Sequence, residues 1–506
     1  MAFFMGIDNG GTVIKAVLFD ALGTEIARAS RKTPVSTPST GYAERDMDDL
    51  WILNAETIRE VLERSKVNPD DILAIAITGH GKGLYAWGYD DRPAGPGIAS
   101  TDNRAWAYAQ KWEEDGTAAA IYPMTCQRLI ACQPAALLRW RKEHEPENYQ
   151  RIKWIFSIKD YLRFRLTGEA YAEISDMSGT SLMDIRTMQY DIRILEKLGI
   201  PEVYDALPPL RRSCDCCGRV TEEAARLTGL SSGTVVAGGM FDIDACAIAM
   251  DVTRPEQLCT IAGTWSINEY IAEKPVVNGL IAMNSLYAIP GFYLVEECSA
   301  TSASNLEWFI DQILNKSLIT DKPEGMNVYE YVERQVYSVT PTEVNLVYLP
   351  YLYGSNDHPL ARGSLIGLVS QHQLAHLLRA VYEGVAFSHK SHIDRLLSTR
   401  KPPAAIRMAG GAVRSRVWIQ LFADVLQLPI ETVSTDELGA LGAAMAAAVA
   451  AGHFVDLPQA SQSMVHLSGT VHPDVKKADV YRKKYEDYCT VRDALHPVWD
   501  RLNGIN

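Results

Sequence analysis

The sequence predicts an α/β protein of two similar domains, and three observations carry that expectation. In Met5 to Asp20, MGIDNGGTVIKAVLFD, the residues Phe3, Met5 and Ile7 alternate up to Asp8. Asn9-Gly10-Gly11-Thr12 follows, and apolar and β-branched residues resume at Val13, Ile14, Val17 and Leu18. This is the pattern of strand, tight turn and strand. Cys259 to Ile271, CTIAGTWSINEYI, repeats the order of apolar run, Gly-Thr turn and β-rich run. Thr12 and Thr264 stand about half of the 506 residues apart, in a chain too long for one core. One cut near position 250 gives domains over 1–249 and 250–506.

The first turn has the chemistry of a phosphate site. Gly10 and Gly11 permit positive φ and let a bulky anion approach the backbone, Thr12 offers a hydroxyl and Lys15 a cation. Neither GxxxxGK[ST] nor GxGxxG is present, so this is a nucleotide loop of another kind, or else an Asn-Gly hairpin with no ligand. A helix is expected from about Asp48 to Ser65, with Leu50, Ile52, Leu53, Ile58, Val61 and Leu62 on its apolar side. The buried strand Ile72 to Thr78 then ends in Gly79-His80-Gly81-Lys82-Gly83, a polar turn at the strand terminus where open α/β sheets place ligands. In Ser100-Thr101-Asp102-Asn103-Arg104, Asp102 is either an acceptor for vicinal hydroxyls or part of a solvated loop.

Val235 to Asp242, VVAGGMFD, runs from a β-branched strand through two glycines to a carboxylate at the start of a small-residue helix. Backbone N–H groups there would hold Asp242 ionised, which suits a simple cap and a proton acceptor alike, and Asp244 is the local competitor. In the second half, Gly263 and Thr264 repeat the first turn. Leu346 to Tyr351 is an apolar strand, and a helix carries Leu374, Leu377, Leu378 and Val381 at helical spacing. His389 and His392, three apart further along it, lack a third ligand for a metal. Met408-Ala409-Gly410-Gly411 joins a strand to a helix, a turn open to an α-phosphate or a ribose. Gly439 to Gly452 is an Ala-rich helix whose small residues allow close packing on a backbone or a flat ligand.

The chain carries a formal charge of −13, 47% hydrophobic and 22% charged residues. Nucleic acid and anionic membranes select basic surfaces, so neither is an expected partner. Nine scattered cysteines fit reduced thiols of the cytoplasm, and Cys214, Cys216 and Cys217 have no second pair at zinc spacing. The N-terminus leads directly into a strand without an export signal, which again points to the cytoplasm.

Taken together, DxGGTxxK at Asp8, the GT-x-S turn at Thr264, the run Gly363 to Glu383 and AGGAVRSRVWIQLFADVLQLPI from Ala409 resemble the FGGY family of carbohydrate kinases. The resemblance runs from Met5 to about Ala451. It implies two actin-like, ribonuclease H-like ATPase domains with a central cleft, the first binding sugar and the second nucleotide, in a homodimer. It implies ATP and Mg2+ as cofactors, with Asp8 at the metal and Thr12 and Thr264 at the β- and γ-phosphates. Gly410, Gly411 and Ser415 face the nucleotide, His80, Lys82 and Asp102 the sugar, and Asp242 takes the proton of the attacking hydroxyl. Lys82 stands where the family's sugar turn usually has His, and Leu137 where a Lys is usual. With Gly354-Ser355-Asn356 and Asn305 to Phe309, the turn at Gly79 to Leu84 most resembles L-xylulose and 3-keto-L-gulonate kinases. Erythritol and D-xylulose kinases remain close, and an actin-like ATPase switch or filament subunit would use the same two turns.

Overall fold

In a computed structural model, which describes residues 2–318 and 322–503, both hairpins form. Phe3–Asn9 pairs antiparallel with Val13–Asp20, setting Asp8 opposite Lys15. Cys259–Ala262 pairs antiparallel with Ser266–Ala272, with Ala262 opposite Ser266. Each turn is closed by a backbone bond, but over different lengths: the Gly10 amide donates to the Val13 carbonyl three residues on at 3.1 Å, and the Gly263 amide to the Trp265 carbonyl two residues on at 3.3 Å.

The described residues form two compact units. The first comprises Met1–Thr253, Ile271–Val295 and Glu437–Val465, the second Arg254–Tyr270, Glu296–Asp436 and His466–Asn506. The chain therefore passes between these units several times. The Ile271–Val295 segment is held in the first unit by hydrogen bonds from the Asn284 amide to Cys126 O (2.9 Å), from Leu286 N to Ser178 Oγ (2.8 Å) and from Tyr287 Oη to Val252 O (2.7 Å).

In the first unit the strands lie in the order Cys216–Arg219, Val235–Ala237, Ile72–Gly79, Phe3–Asn9, Val13–Asp20, Glu25–Lys32. Ile72–Gly79 runs parallel to both Phe3–Asn9 and Val235–Ala237, and Met240–Phe241 joins it further along. Asp8 thus lies beside Thr78, and Phe241 beside Gly79, so the Gly10-Gly11-Thr12 turn, the His80 turn and Asp242 all leave from one end of the sheet. That is the carboxyl end of parallel strands, where such sheets bind ligands. In the second unit the order is Tyr293–Ser299, Ser266–Ala272, Cys259–Ala262, Ile406–Ala409, Ile430–Val433, Leu467–Val471. Cys259–Ala262, Ile406–Ala409 and Ile430–Val433 run parallel there, and Leu467–Val471 antiparallel. The two sheets share one plan: a hairpin, two parallel strands, and an antiparallel edge strand.

The expected helices pack onto this frame. Met47–Ser65 is capped by Asp46, whose carboxylate accepts from Asp49 N at 2.9 Å. It buries Leu50, Ile58, Val61 and Leu62 against the first sheet, while Ile52 faces solvent. A helix presents only one stripe to a sheet, and Ile52 falls outside it. The Ala-rich helix is Leu438–Ala450 and is buried over its first eleven residues. Its small residues bring backbones together: a Cβ at Gly6 would sit 1.7 Å from Ala440 O, and one at Gly442 2.2 Å from Ala245 O. Among the described residues no helix is long and apolar enough to cross a membrane.

Two glycine substitutions separate packing from turn geometry. Gly6→Ala drives a methyl into the Ala440 backbone and is expected to cost at least about 2 kcal/mol in denaturant unfolding, the upper range for overpacking. Gly11→Ala meets nothing within 4 Å and is expected to cost less than about 0.5 kcal/mol. Equal losses at the two positions would contradict the packing described.

Candidate active site

Asp8 is the next-to-last residue of the first strand and is half-buried. Burial pushes its pKa up to about 6, with Lys15 pulling it down and Glu437 pushing it further up. Gly439, in the first turn of the Ala-rich helix, lies so close that a Cβ there would be 2.6 Å from Asp8 Oδ2. Neither Gly10 nor Gly11 adopts positive φ, so the conformational freedom expected of them is not what the turn uses. They leave it bare, with Gly11 and Thr12 exposed. Beneath it, the buried Arg45 donates through Nη2 to the Gly11 carbonyl, and Asn9 exchanges two 3.0 Å side-chain amide bonds with Asn54. Lys15, expected to meet a phosphate, is paired with Glu437 at 2.8 Å; that carboxylate also takes Arg28 at 3.2 Å.

The turn after Ile72–Gly79 brings His80 and Lys82 to the same sheet end. His80 is buried, its Nε2 3.1 Å from the Tyr85 hydroxyl. Burial first, and Arg45 next, lower its pKa to about 3, so the ring is neutral and acts as a hydrogen-bonding group. Lys82 adopts φ 64°, a left-handed conformation uncommon for a residue with a Cβ, and its ammonium lies 5.8 Å from the Phe241 ring centroid. Asp102 is buried and already engaged. It accepts from Ala43 N at 2.7 Å and Arg104 N at 2.9 Å, and it receives the Arg104 guanidinium through Nε at 3.0 Å and Nη2 at 2.8 Å. Arg104 in turn lies 4.0 Å from the Tyr42 ring centroid.

Asp242 is the first residue of the helix Asp242–Ala249, whose N-cap position is Phe241 with no side-chain cap. Instead of being held ionised by helix amides, its carboxyl is raised well above the usual range, by burial first and then by Asp8 and Asp176, with Lys82 opposing. One amide dipole is outweighed by lost hydration and two neighbouring carboxylates. Asp244 is fully buried and accepts from Ala288 N at 2.8 Å, so it serves to hold the Ile271–Val295 segment.

The Asp242 turn rests on a buried charged cluster that sequence reasoning missed. Lys159 Nζ lies 2.8 Å from Asp160, 3.3 Å from Glu173 and 3.6 Å from Asp176. Arg163 Nη1 donates to Asp160 and to the Gly238 carbonyl, both at 2.7 Å. Ser175 Oγ donates to Glu173 at 2.8 Å and accepts from Phe241 N at 3.0 Å. The backbone on both sides of Gly239 is thereby fixed. Gly239 itself has φ 76°, and a Cβ on it would fall 1.9 Å from Ile77 O, so only glycine fits. Lys159, Asp160 and Asp176 read as ordinary helix and loop residues along the chain, and only their burial reveals them.

In the second unit Thr264 and Trp265 are both exposed on the turn, and the Thr264 carbonyl accepts from Ser304 Oγ at 3.0 Å. Gly410 packs against that turn. Its φ is 95°, and a Cβ on it would lie 2.5 Å from Ala262 O and 2.9 Å from Gly263 N. Gly263, Thr264, Gly410 and the exposed Gly411 are therefore neighbours. Ser415 caps the helix Arg416–Leu426 by accepting from Trp418 N at 3.1 Å, and it donates to Glu333 at 3.2 Å. His389 and His392 are buried in hydrogen bonds, and among the described residues no group of three His, Cys, Asp or Glu is arranged to hold a metal.

The architecture has counterparts in known proteins. Residues 3–249 match the N-terminal domain of the FGGY family of carbohydrate kinases, and residues 258–451 its C-terminal domain. The chain is 38% identical to a probable L-xylulose kinase of Pasteurella multocida (strain Pm70), over 98% of this chain and 99% of that one. It is 36% identical to the L-xylulose/3-keto-L-gulonate kinase of Escherichia coli (strain K12), over 99% and 98%. The crystal structure of xylulose kinase from Rhodospirillum rubrum aligns with a TM-score of 0.88 at 27% identity, covering 98% of this chain and all of that one. With both domain models matched in order across a duplicated sheet, the chain belongs to the FGGY family of carbohydrate kinases and is a kinase that phosphorylates a sugar at the expense of ATP.

Proposed function

We propose that this kinase transfers the γ-phosphoryl group of ATP to a hydroxyl of an open-chain ketose, L-xylulose or 3-keto-L-gulonate, with Asp242 as general base. The observation that carries the reading is Asp242 itself, whose carboxyl burial, Asp8 and Asp176 all raise. A carboxylate of raised pKa is a stronger base, and the sugar oxygen forms its bond to phosphorus as Asp242 takes the hydroxyl proton and ADP leaves. The substrate class is supported by the names of the two relatives above and by the basic turn His80-Gly81-Lys82, which suits a ketose with or without a carboxylate.

In this reading the first unit takes the sugar at His80, Lys82 and Asp102, and Gly10, Gly11 and Thr12 meet the phosphates, while Lys15 is held by Glu437. Asp102 acts chiefly by fixing the Arg104 loop. The second unit takes the nucleotide at Gly263, Thr264, Gly410, Gly411 and Ser415. Asp8 is the residue for Mg2+. A half-exposed, acidic oxygen donor beside a second carboxylate fits a hard divalent cation that keeps waters and phosphate oxygens as its other ligands. Bound there, the ion would neutralise phosphate charge. The assembly we propose is a homodimer in the cytoplasm.

ADP release measured across pentuloses, hexuronate-derived ketoses and polyols is expected to give the highest kcat/KM with L-xylulose or 3-keto-L-gulonate. Erythritol, D-xylulose, glycerol or gluconate at least tenfold better would overturn the substrate assignment, and ATP hydrolysis indifferent to sugar would overturn the kinase mechanism.

A second expectation concerns pH. A base works only when deprotonated, so a raised pKa means that activity is present above it and lost as pH falls through it. Burial, Asp8 and Asp176 hold the Asp242 carboxyl well above the usual carboxylate range, so the acid limb of log kcat/KM is expected well above that range too. A profile flat down to pH 4.5 would contradict it.

A further inference from the structure

Behind the Thr264 turn lies a buried hydrogen-bond network centred on His389, in the helix Leu374–Leu397. Its Nδ1 lies 2.9 Å from Asn268 Oδ1, 3.0 Å from Thr260 Oγ1 and 3.1 Å from Ser266 Oγ, and its Nε2 lies 2.8 Å from Ser302 Oγ. All five side chains are essentially without solvent contact.

The partners fix the tautomer of His389. The Asn268 amide nitrogen donates to the Glu297 carbonyl at 3.2 Å and to Ser266 Oγ at 3.1 Å, so its oxygen is the atom turned to His389. A carbonyl oxygen only accepts, hence Nδ1 carries the hydrogen. Burial keeps the ring neutral, lowering its pKa to about 3, so Nε2 is a bare acceptor and the Ser302 hydroxyl donates to it. Ser302 in turn stands two residues before Ser304, whose hydroxyl holds the Thr264 carbonyl at 3.0 Å. The segment between them is stiff: Asn305 N donates to Ser302 O at 3.0 Å, and the Asn305 side chain bonds the same carbonyl at 2.9 Å and Tyr348 Oη at 2.9 Å.

We propose that His389 is a positioning residue for nucleotide binding, gripping the Gly263–Ser266 turn from two sides, through Asn268 and Ser266 on one and through Ser302 on the other. His389 touches no substrate. It acts by holding the backbone of Thr264 in a single arrangement, through buried hydrogen bonds on both ring nitrogens. The inference rests on the reading of this turn as a phosphate site.

The test uses the full chain and reads the ATP dissociation constant by calorimetry, the ketose KM and the melting temperature. His389→Asn keeps a donor near the Nδ1 position but removes the acceptor for Ser302, and Ser302→Ala removes the other end of the same bond. Each is expected to weaken ATP binding about fivefold or more with the ketose KM within twofold of the original, and the double variant to be no worse than either single one. Nitrogen NMR of the histidines is expected to show the Nδ1–H tautomer at His389. An ATP dissociation constant unchanged within twofold in folded Ser302→Ala, or an Nε2–H tautomer, would overturn the proposal. If His389→Asn does not fold, Ser302→Ala decides alone. A protein that binds ATP but phosphorylates no ketose would refute the proposed function and leave this test intact.

Discussion

Two carboxylates brought to one end of a sheet govern the chemistry of the first unit. Asp8 and Asp242 end or follow parallel strands on either side of Ile72–Gly79, where hydration is partly stripped and the charge of Asp8 raises the pKa of Asp242. Such a pair is unfavourable in isolation. In the proposed mechanism the pair is useful, because Asp8 would hold a cation that neutralises its charge and Asp242 would supply the basicity that proton abstraction needs. The surrounding structure holds the pair in place: the Lys159–Asp160–Arg163–Glu173 cluster grips Gly238 and Phe241, and the Ala-rich helix crowds Asp8 through Gly439. Breaking one partner of a buried ionic cluster is costly, so the turn carrying Asp242 is locked by charge as well as by packing.

The second constraint is duplication. One plan of hairpin and parallel strands appears in both units, with a glycine-threonine turn in each hairpin: Gly10-Gly11-Thr12 in the first, and Gly263-Thr264 followed by the exposed Trp265 in the second. The supports differ. Arg45 and the Asn9–Asn54 pair back the first turn, whereas His389, Ser304 and Gly410 back the second. The supports follow the neighbouring element each turn happens to meet.

Much of this was legible in the sequence because it is local. Alternation around Asp8 and the repeat at Thr264 give the hairpins, and the Gly-Gly pair before Asp242 gives the strand-to-helix turn. What escaped was non-local. Ile271–Val295 and Glu437–Val465 belong to the first unit through hydrogen bonds and backbone contacts with residues far away in sequence, and a composition scan finds no linker to mark them. The protonation of Asp242 escaped for the same reason: an N-terminal helix position argues for ionisation, while Asp8 and Asp176, the groups that reverse it, come from distant segments. Lys15 looked free for a phosphate until Glu437, over four hundred residues on, paired with it.

The central claim, that Asp242 takes the proton, is tested most directly by Asp242→Asn. The amide keeps the shape and the helix start but cannot accept the proton, so kcat should fall by at least about 10² to 10⁴, with ATP affinity and melting temperature nearly unchanged. Near-normal turnover in that variant would contradict the account and move the search to Asp244.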